Sequence, residues 1–274
     1  MNASRGPITE IEPTGPALRL SDLLRYRELL YFLVWRDVKV RYKQTVLGAA
    51  WALLQPLLAM LVFTIFIGRF GRMPSDGVAY AVWSFTALVP WMYFANATGQ
   101  AALSLAANAN LITKVYFPRV LVPTASAISG LLDFAIAFVL LVVWAMLTGR
   151  PPGPGMLLLP LALALMIVTT CAVALALAAL TVEYRDVRYA TPFLLQVWLF
   201  ATPVVYPASV VPAPWRTLLG LNPMTGVVEG FRAALLGTGV STGMLTLSAV
   251  TALAMLVAAA AYFSRVEQVV ADVV

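Results

Sequence analysis

Long stretches without charged residues constrain the fold of this 274-residue chain more than any other feature. Six stretches, only one of which includes a charged residue, run over 44–68, 77–113, 120–149, 151–182, 189–215 and 233–264. Each is long enough to cross a bilayer core about 30 Å thick as an α-helix. Segments of about ten residues with alternating polarity, typical of membrane β-barrels, are not found. The sequence therefore predicts an all-α polytopic membrane protein with six transmembrane helices.

The composition excludes several other classes of protein. Hydrophobic residues make up 61% of the chain and charged residues only 11%, whereas an ordinary soluble domain has roughly 25% charged residues. There is no histidine, which removes the commonest metal ligand and general base, and one cysteine, which excludes an intrachain disulfide. We therefore expect no metal site. We also expect no nucleic-acid partner, because the positive-inside distribution of lysine and arginine in a membrane protein accounts for the net charge of +6.

The distribution of lysine and arginine predicts that both termini are cytoplasmic. With that orientation, 13 of the 18 lie on the inner side. The spans are predicted at about 46–68, 78–104, 121–148, 156–181, 190–206 and 241–264. The transmembrane domain that contains them is predicted at 44–264. It is preceded by a cytoplasmic tail at 1–20 and an amphipathic interfacial helix at 21–43, and followed by a second cytoplasmic tail at 265–274.

The segment 208–238 differs from the spans around it. It contains Asn222, Pro223 and several glycines, and proline disfavours helix both at its own position and at the one before it. We therefore expect short re-entrant helices that enter the outer leaflet and return. Irregular backbone at that depth must be buried in protein or line a watery cavity.

The segment 21–43 is basic and rich in aromatic residues. At 100° per residue one side carries Arg25, Glu28, Arg36, Lys39 and Lys43, and the side roughly opposite carries Leu30, Leu33, Val34 and Val38. Arg27, Asp37 and Arg41 interrupt this pattern. One interpretation is a membrane anchor that lies in the interface. The other is that its cations also bind the headgroup of an anionic lipid-linked substrate, through Arg25, Arg27, Arg36, Lys39, Arg41 and Lys43.

A cytoplasmic segment between the second and third spans has the sequence NANLITKVYFPRVLVP, 108–123. It is apolar and aromatic, and exposed apolar surface usually marks a protein contact. The chain has no G-x-x-x-x-G-K-[ST] phosphate loop, so an ATP-driven process would need a second chain that pushes on this surface. The alternative is an ordinary loop with a short interfacial helix. The predicted coupling residues are Asn110, Leu111, Ile112, Lys114, Val115, Tyr116, Phe117, Pro118 and Arg119.

Aromatic residues recur at helical spacing in the second span and again in the fifth. They suit an interfacial aromatic belt. They also suit a surface on which sugar rings stack as a polymer passes, because aromatic faces contact the apolar faces of sugars. Both interpretations stay open for Tyr80, Trp83, Trp91, Phe94, Trp198, Phe200 and Tyr206.

Asp133 is the one charged residue deep within a predicted span. Such residues are costly in hydrocarbon and are candidate functional sites by default. No lysine or arginine is expected at the same depth, so we predict hydrogen bonds that assist helix assembly, with Gln55, Asn96, Gln100 or hydroxyl groups as partners. The alternative is proton coupling, for which a lone carboxylate in a chain without histidine is a poor relay.

Four ordered motifs carry a family resemblance: YKQTVLGAAWALLQP at 42–56, NANLITKVYFPRVLVP at 108–123, VEYRDVRY at 182–189 and NPMTGVVEGFR at 222–232. Together they resemble the membrane subunit of type-2 ABC exporters of cell-surface polysaccharide, in the branch of O-antigen and teichoic-acid export permeases. The resemblance implies that 110–118 is a coupling helix that docks on the ATPase. It also implies that the outer-leaflet helices cap the pathway, through Asn222, Pro223 and Arg232.

The resemblance also implies partners and a location. We expect a homodimer with two ATPase chains in the bacterial inner membrane, in which ATP and Mg are bound by the ATPase and this chain has no cofactor and no catalytic residue. The expected activity is export of a lipid-linked polysaccharide from the cytoplasmic side. Alternatives within the class are export of teichoic acid, capsule, drug or lipid. An ion-coupled secondary transporter would need paired broken helices, and a glycosyltransferase would need larger cytoplasmic loops.

Overall fold

The computed structural model describes residues 25–43, 48–115, 117–149 and 153–267, and all regular elements within these ranges are helical. This confirms the all-α prediction. The predicted tail 1–20, Tyr116 and residues 268–274 of the second predicted tail lie outside the described residues.

Eleven α-helices follow one another along the described part of the chain. They are α1 (Arg27–Lys43), α2 (Gly48–Phe63), α3 (Tyr80–Ala107), α4 (Ala109–Lys114), α5 (Leu121–Ser129), α6 (Leu131–Leu147), α7 (Leu159–Glu183), α8 (Val187–Ala201), α9 (Ala213–Arg216), α10 (Pro223–Leu236) and α11 (Thr242–Glu267). A π-helical segment, Thr64–Phe70, extends α2, and 3₁₀ turns cover Pro154–Leu158, Ala208–Val210 and Thr217–Leu221.

Four helical segments among the described residues are long and apolar enough to cross a bilayer. They are Ala50–Phe70, Leu121–Leu147, Pro154–Glu183 and Thr242–Glu267. The other two predicted spans fall on α3 and α8. Helix α3 has 28 residues but contains polar and aromatic side chains that lower its hydropathy. Helix α8 has 15 residues, fewer than the roughly 20 that a full crossing needs.

Helices α3 and α7 form the centre of the fold, with 18 of the 28 residues of α3 buried. Helix α7 packs against α3, α5, α10 and α11. Small side chains allow these helices to approach closely, since Ala101, Ala127 and Ala174 form a buried cluster where α3, α5 and α7 meet. A second buried cluster, at the end of the fold where α4 lies, joins α1 to α5 through Leu33 and Leu121.

Helix α10 is buried along its whole length of 14 residues. Its start follows the usual capping chemistry, because the Asn222 side chain accepts a hydrogen bond from the backbone N–H of Met224 and Pro223 occupies the first turn. It ends at Gly237, whose φ of 68° is left-handed. A Cβ atom at Gly226 would lie 2.4 Å from the Cβ of Ser248, so glycine is needed for α10 to pack on α11.

Candidate functional site

A buried arginine of α10, Arg232, contacts the N-terminal end of α3 and the segment that follows α8. The Arg232 guanidinium donates from Nη1 to Glu229 Oε1 at 2.8 Å and to the Pro203 carbonyl at 2.7 Å, and from Nη2 to the Val204 carbonyl at 2.9 Å. It also lies 3.4 Å from the centroid of the Trp83 ring. Arg232 has no exposed surface, so this predicted outer-cap residue holds the fold together and is not available to a ligand in this conformation.

Asn222, the second predicted outer-cap residue, connects α10 to α8. Its Oδ1 accepts a hydrogen bond from Trp198 Nε1 at 2.9 Å, and its Nδ2 donates to Thr202 Oγ1 at 2.9 Å. Pro223 is buried beside it. Asn222 and Pro223 therefore lie at the start of α10 and Arg232 lies nine residues after Pro223, where it contacts different neighbours.

The predicted pathway aromatics divide into buried and exposed groups. Trp83 and Phe94 have no exposed surface, so their rings have no free face for a sugar in this conformation, which counts against the pathway prediction for these two residues. Phe94 packs edge-on against Trp198, with 5.1 Å between the ring centroids. Trp91 is 5% exposed but lines a cavity between α3 and α8, and both interpretations stay open for it.

The remaining predicted aromatics lie nearer the surface. The Tyr80 hydroxyl donates to the Val205 carbonyl at 2.7 Å, which ties α3 to the segment after α8. Tyr206 is partly buried against the main core. Phe200 is 54% exposed, and both open interpretations remain for it.

Asp133 is paired with an arginine, contrary to the expectation that no basic residue reaches its depth. Arg41 Nη1 donates to Asp133 Oδ2, and the Tyr42 hydroxyl donates to Asp133 Oδ1. Arg41 Nη2 donates to Gln100 Oε1. The prediction failed because it looked for a partner within the spans, whereas Arg41 belongs to α1, which the sequence places outside them, and the end of α1 lies beside Asp133 and Gln100. Asp133, Gln100, Gln55 and Asn96 line one cavity of about 310 Å³.

The predicted headgroup cations do not act as one set. Arg41 is hydrogen-bonded to Asp133 and Gln100. Arg36 forms an ion pair with Asp37 at 2.7 Å. Lys39 lies 5.4 Å from the ring centroid of Trp35 and, with Lys43, lines a groove on the outer side of α1. Arg25 and Arg27 are exposed.

The predicted coupling segment is less exposed than the sequence suggested. Ile112 and Phe117 are each 5% exposed and pack into the cluster that joins α1 to α5, so they are core residues of this subunit. Leu111 and Pro118 are partly buried. Among the residues of this segment that the structure describes, Asn110, Thr113, Lys114 and Val115 are exposed.

The end of α11 binds the last residue of the predicted coupling segment, Arg119. The backbone N–H of Arg119 donates to Glu267 Oε1 at 2.6 Å, and Arg119 Nη1 donates to the Glu267 carbonyl. One turn earlier, the Tyr262 hydroxyl donates to Glu183 Oε2 at the end of α7. The last helix therefore links the segment after α4 to the turn between α7 and α8.

Comparison with known proteins identifies the family of this chain. Residues 28–236, which run from α1 to the end of α10 and make up more than half of the chain, match the ABC-2 type transporter family. The chain belongs to the ABC-2 type transporter family. The O-antigen export system permease protein RfbA of Myxococcus xanthus is 30% identical over 77% of this chain and 82% of its own length.

Two further relatives of this ABC-2 protein extend the comparison. An O-antigen export system permease protein RfbA of Klebsiella pneumoniae is 21% identical over 90% of this chain and 95% of its own length. The polysialic acid transport protein KpsM of Escherichia coli is 24% identical over 77% of this chain and 83% of its own length. The relatives are permease or transport proteins, which agrees with a non-catalytic membrane subunit.

Sequence reasoning about this ABC-2 protein missed two pairings: Arg41 with Asp133, and Arg232 with Trp83. A signal for the first was present, because Arg41 interrupts the amphipathic pattern of α1. A charged residue on the apolar side of a helix needs a partner inside the protein. No comparable signal was present for the pairing of Arg232 with Trp83, since a tryptophan at position 83 is also typical of the aromatic belt at a membrane interface. The described residues contain no group of three potential metal ligands.

Proposed function

We propose that this chain is the permease subunit of an ATP-driven exporter that moves a lipid-linked polysaccharide, an O-antigen or related surface glycan, from the cytoplasmic side across the bacterial inner membrane. The family match across α1 to α10, together with relatives named as O-antigen export permeases, carries the proposal. Because the sequence has no phosphate loop, ATP and Mg are bound by a separate ATPase subunit.

Six crossings and cytoplasmic termini complete the proposed arrangement. Helix α3 is about 42 Å long at 1.5 Å per residue, enough for one crossing. Helix α8 is about 22 Å long, and the buried segment 202–205 that follows it completes the fifth crossing against α3 and α10. The short elements of 208–238 are re-entrant, and the complete burial of α10 supports this because polar backbone there is shielded from lipid.

The ATPase docks on the exposed residues of the coupling segment, Asn110, Thr113, Lys114 and Val115. Its movement passes to the membrane helices through the buried side chains of Ile112 and Phe117, which lie under this surface and contact the cluster that joins α1 to α5. Two copies of the chain form the pathway between them. The exposed apolar residues of α8, among them Phe193 and Val197, are available to the second copy or to lipid.

Deletion of the gene in its own host, followed by complementation, tests the proposal. Cells that lack the chain should lose the surface glycan and accumulate the lipid-linked form on the cytoplasmic side, and the wild-type gene should restore export. The same accumulation should follow when the partner ATPase carries an inactive phosphate loop. Normal surface glycan in cells without the chain contradicts the proposal.

A further inference from the structure

Carboxamide side chains project from three different helices at one depth. Gln55 is seven residues from the start of α2, Gln100 seven residues from the end of α3, and Gln196 nine residues from the start of α8. At 1.5 Å per residue they lie about 10–14 Å from the helix ends that face the cytoplasm in the proposed orientation. Asn96 lies one turn from Gln100 on the same face of α3.

These four side chains are exposed, although they belong to membrane helices. A polar group that faces hydrocarbon without a partner is costly, so polar side chains at this depth face protein, water or a bound molecule. Apart from the hydrogen bond between Arg41 and Gln100, the described residues provide no side-chain partner for these carboxamides. The side chains therefore mark a surface that faces water or another molecule and is not covered by the described part of this chain.

Two cavities meet along this surface. One, of about 310 Å³, lies between α2, α3 and α6 and is lined by Gln55 and Asp133. The other, of about 480 Å³, lies between α3 and α8 and is lined by Gln196 and Arg188. Asn96 and Gln100 line both cavities, so the two adjoin over one strip of α3. We name these joined cavities the carboxamide seam.

The four carboxamides of the seam favour a hydroxylated ligand. A carboxamide both donates and accepts hydrogen bonds, as a sugar hydroxyl does. In the first cavity the charges of Arg41 and Asp133 neutralise each other, whereas Arg188 places one cation in the lining of the second cavity. Trp51 lines the first cavity with 52% of its surface exposed, and its ring can stack on the apolar face of a sugar.

We propose that the carboxamide seam binds the sugar rings of the exported glycan as it enters the pathway from the inner leaflet. This inference rests on the proposed function and assigns its substrate contact to Gln55, Asn96, Gln100 and Gln196 with Trp51. The seam replaces the buried rings of Trp83 and Phe94 as the surface that the polymer contacts in this conformation.

Photo-crosslinking in cells that make the glycan identifies what covers the seam. A benzoylphenylalanine at position 96 or 196 should give a light-dependent adduct that carries polysaccharide, and the adduct should disappear when glycan synthesis is blocked. The matched control is position 139, where Val139 of α6 is 63% exposed and lines neither cavity, so it should capture lipid only. Adducts between two copies of the chain, or no glycan adduct at either position, overturn the inference.

Export by apolar variants provides a second test. Asn96→Leu and Gln196→Leu should each lower the export rate about fivefold to tenfold, the effect of one lost hydrogen bond. The amount of protein in the membrane should not fall, because leucine suits hydrocarbon better than a carboxamide does. Thr246→Val, an exposed polar change on α11 outside both cavities, is the control and should export normally.

The outcomes separate this inference from the proposed function. If cells without the chain keep their surface glycan, the proposed function fails and this inference fails with it. If those cells lose the glycan but Asn96→Leu and Gln196→Leu both export at the wild-type rate, the proposed function stands and the carboxamide seam is not the sugar contact.

Discussion

The Arg232 guanidinium lies 3.4 Å from the centre of the Trp83 ring, a contact between two residues that are 149 positions apart in the sequence. Arg232 belongs to α10 and Trp83 to the first turn of α3, and neither side chain has exposed surface. A desolvated cation over an indole ring is among the stronger contacts of its kind. The end of the fold where α3 begins therefore depends on an arginine whose charge is balanced by Glu229 and by two backbone carbonyls.

Replacement of Arg232 should destabilise the protein strongly. Arg232→Met leaves the Glu229 carboxylate and the carbonyls of Pro203 and Val204 without their donor, and loss of one partner from a buried pair costs about 3–5 kcal/mol. We expect a large fall in the apparent melting temperature of the detergent-solubilised protein. Arg232→Lys should recover only part of this loss, because an ammonium group cannot reproduce the forked geometry of the guanidinium.

The matched control for Arg232 is Arg69→Met, which removes an exposed arginine at the end of the π-helical segment. It should change the melting temperature little. The double variant Glu229→Gln, Arg232→Met should be more stable than Arg232→Met alone, because it no longer buries an unpaired carboxylate. Equal melting temperatures for Arg232→Met and Arg69→Met would contradict the structural role of Arg232.

Arg41 and Asp133 should show energetic coupling. Each single change, Arg41→Gln or Asp133→Asn, leaves a partly buried charge without its partner, whereas the double variant leaves none. A double-mutant cycle on thermal stability should give a coupling of about 1 kcal/mol, since both side chains keep some contact with solvent. Strictly additive effects would show that the pair contributes nothing to stability.

The Tyr42 hydroxyl should lose its proton at a higher pH than that of an ordinary tyrosine. Partial burial and then its hydrogen bond to Asp133 raise the pKa of Tyr42 to about 12. A raised pKa means that the neutral phenol is favoured in the folded state. This stabilisation is complete below the ordinary pKa of about 10 and is lost as the pH rises towards 12. The difference in phenolate absorbance between wild type and Tyr42→Phe should have its midpoint near pH 12, and a midpoint near 10 would contradict this environment.

The coupling segment should give opposite results at two neighbouring apolar residues. Val115 is 51% exposed, so Val115→Asp should leave the protein folded in the membrane but weaken its association with the ATPase. Phe117 is buried, so Phe117→Asp places a carboxylate in the core and should lower the amount of folded protein. Co-purification of the ATPase, measured per folded permease, distinguishes the two. Normal co-purification with Val115→Asp would remove this surface from the docking site.

The sequence was sufficient for the fold class and the family. Uncharged stretches predict membrane helices because unpaired backbone and charged groups are costly in lipid. Each such helix is recognised from its own residues, without knowledge of what packs against it. The start of α10 was not predicted, because Asn222 and Pro223 were interpreted as disfavouring helix, whereas in the structure they form the typical start of one.

Long-range packing was not accessible from the sequence. The motif around Phe117 is apolar whether it faces a partner or its own core, and only the position of α1 shows that the core covers it. The expectation that Asp133 has no basic neighbour failed for the same reason, because its partner is 92 residues earlier in the chain. Amphipathic periodicity assigns a face to each helix but does not identify the element that packs on it.

Reconstitution tests the central claim of this account, that the chain is a passive pathway driven by a separate ATPase. The purified permease is inserted into liposomes that contain the lipid-linked glycan, with or without the ATPase, and the movement of glycan across the bilayer is measured. We predict net movement against a gradient only when ATPase and ATP are both present. Uphill movement by the permease alone would contradict the account.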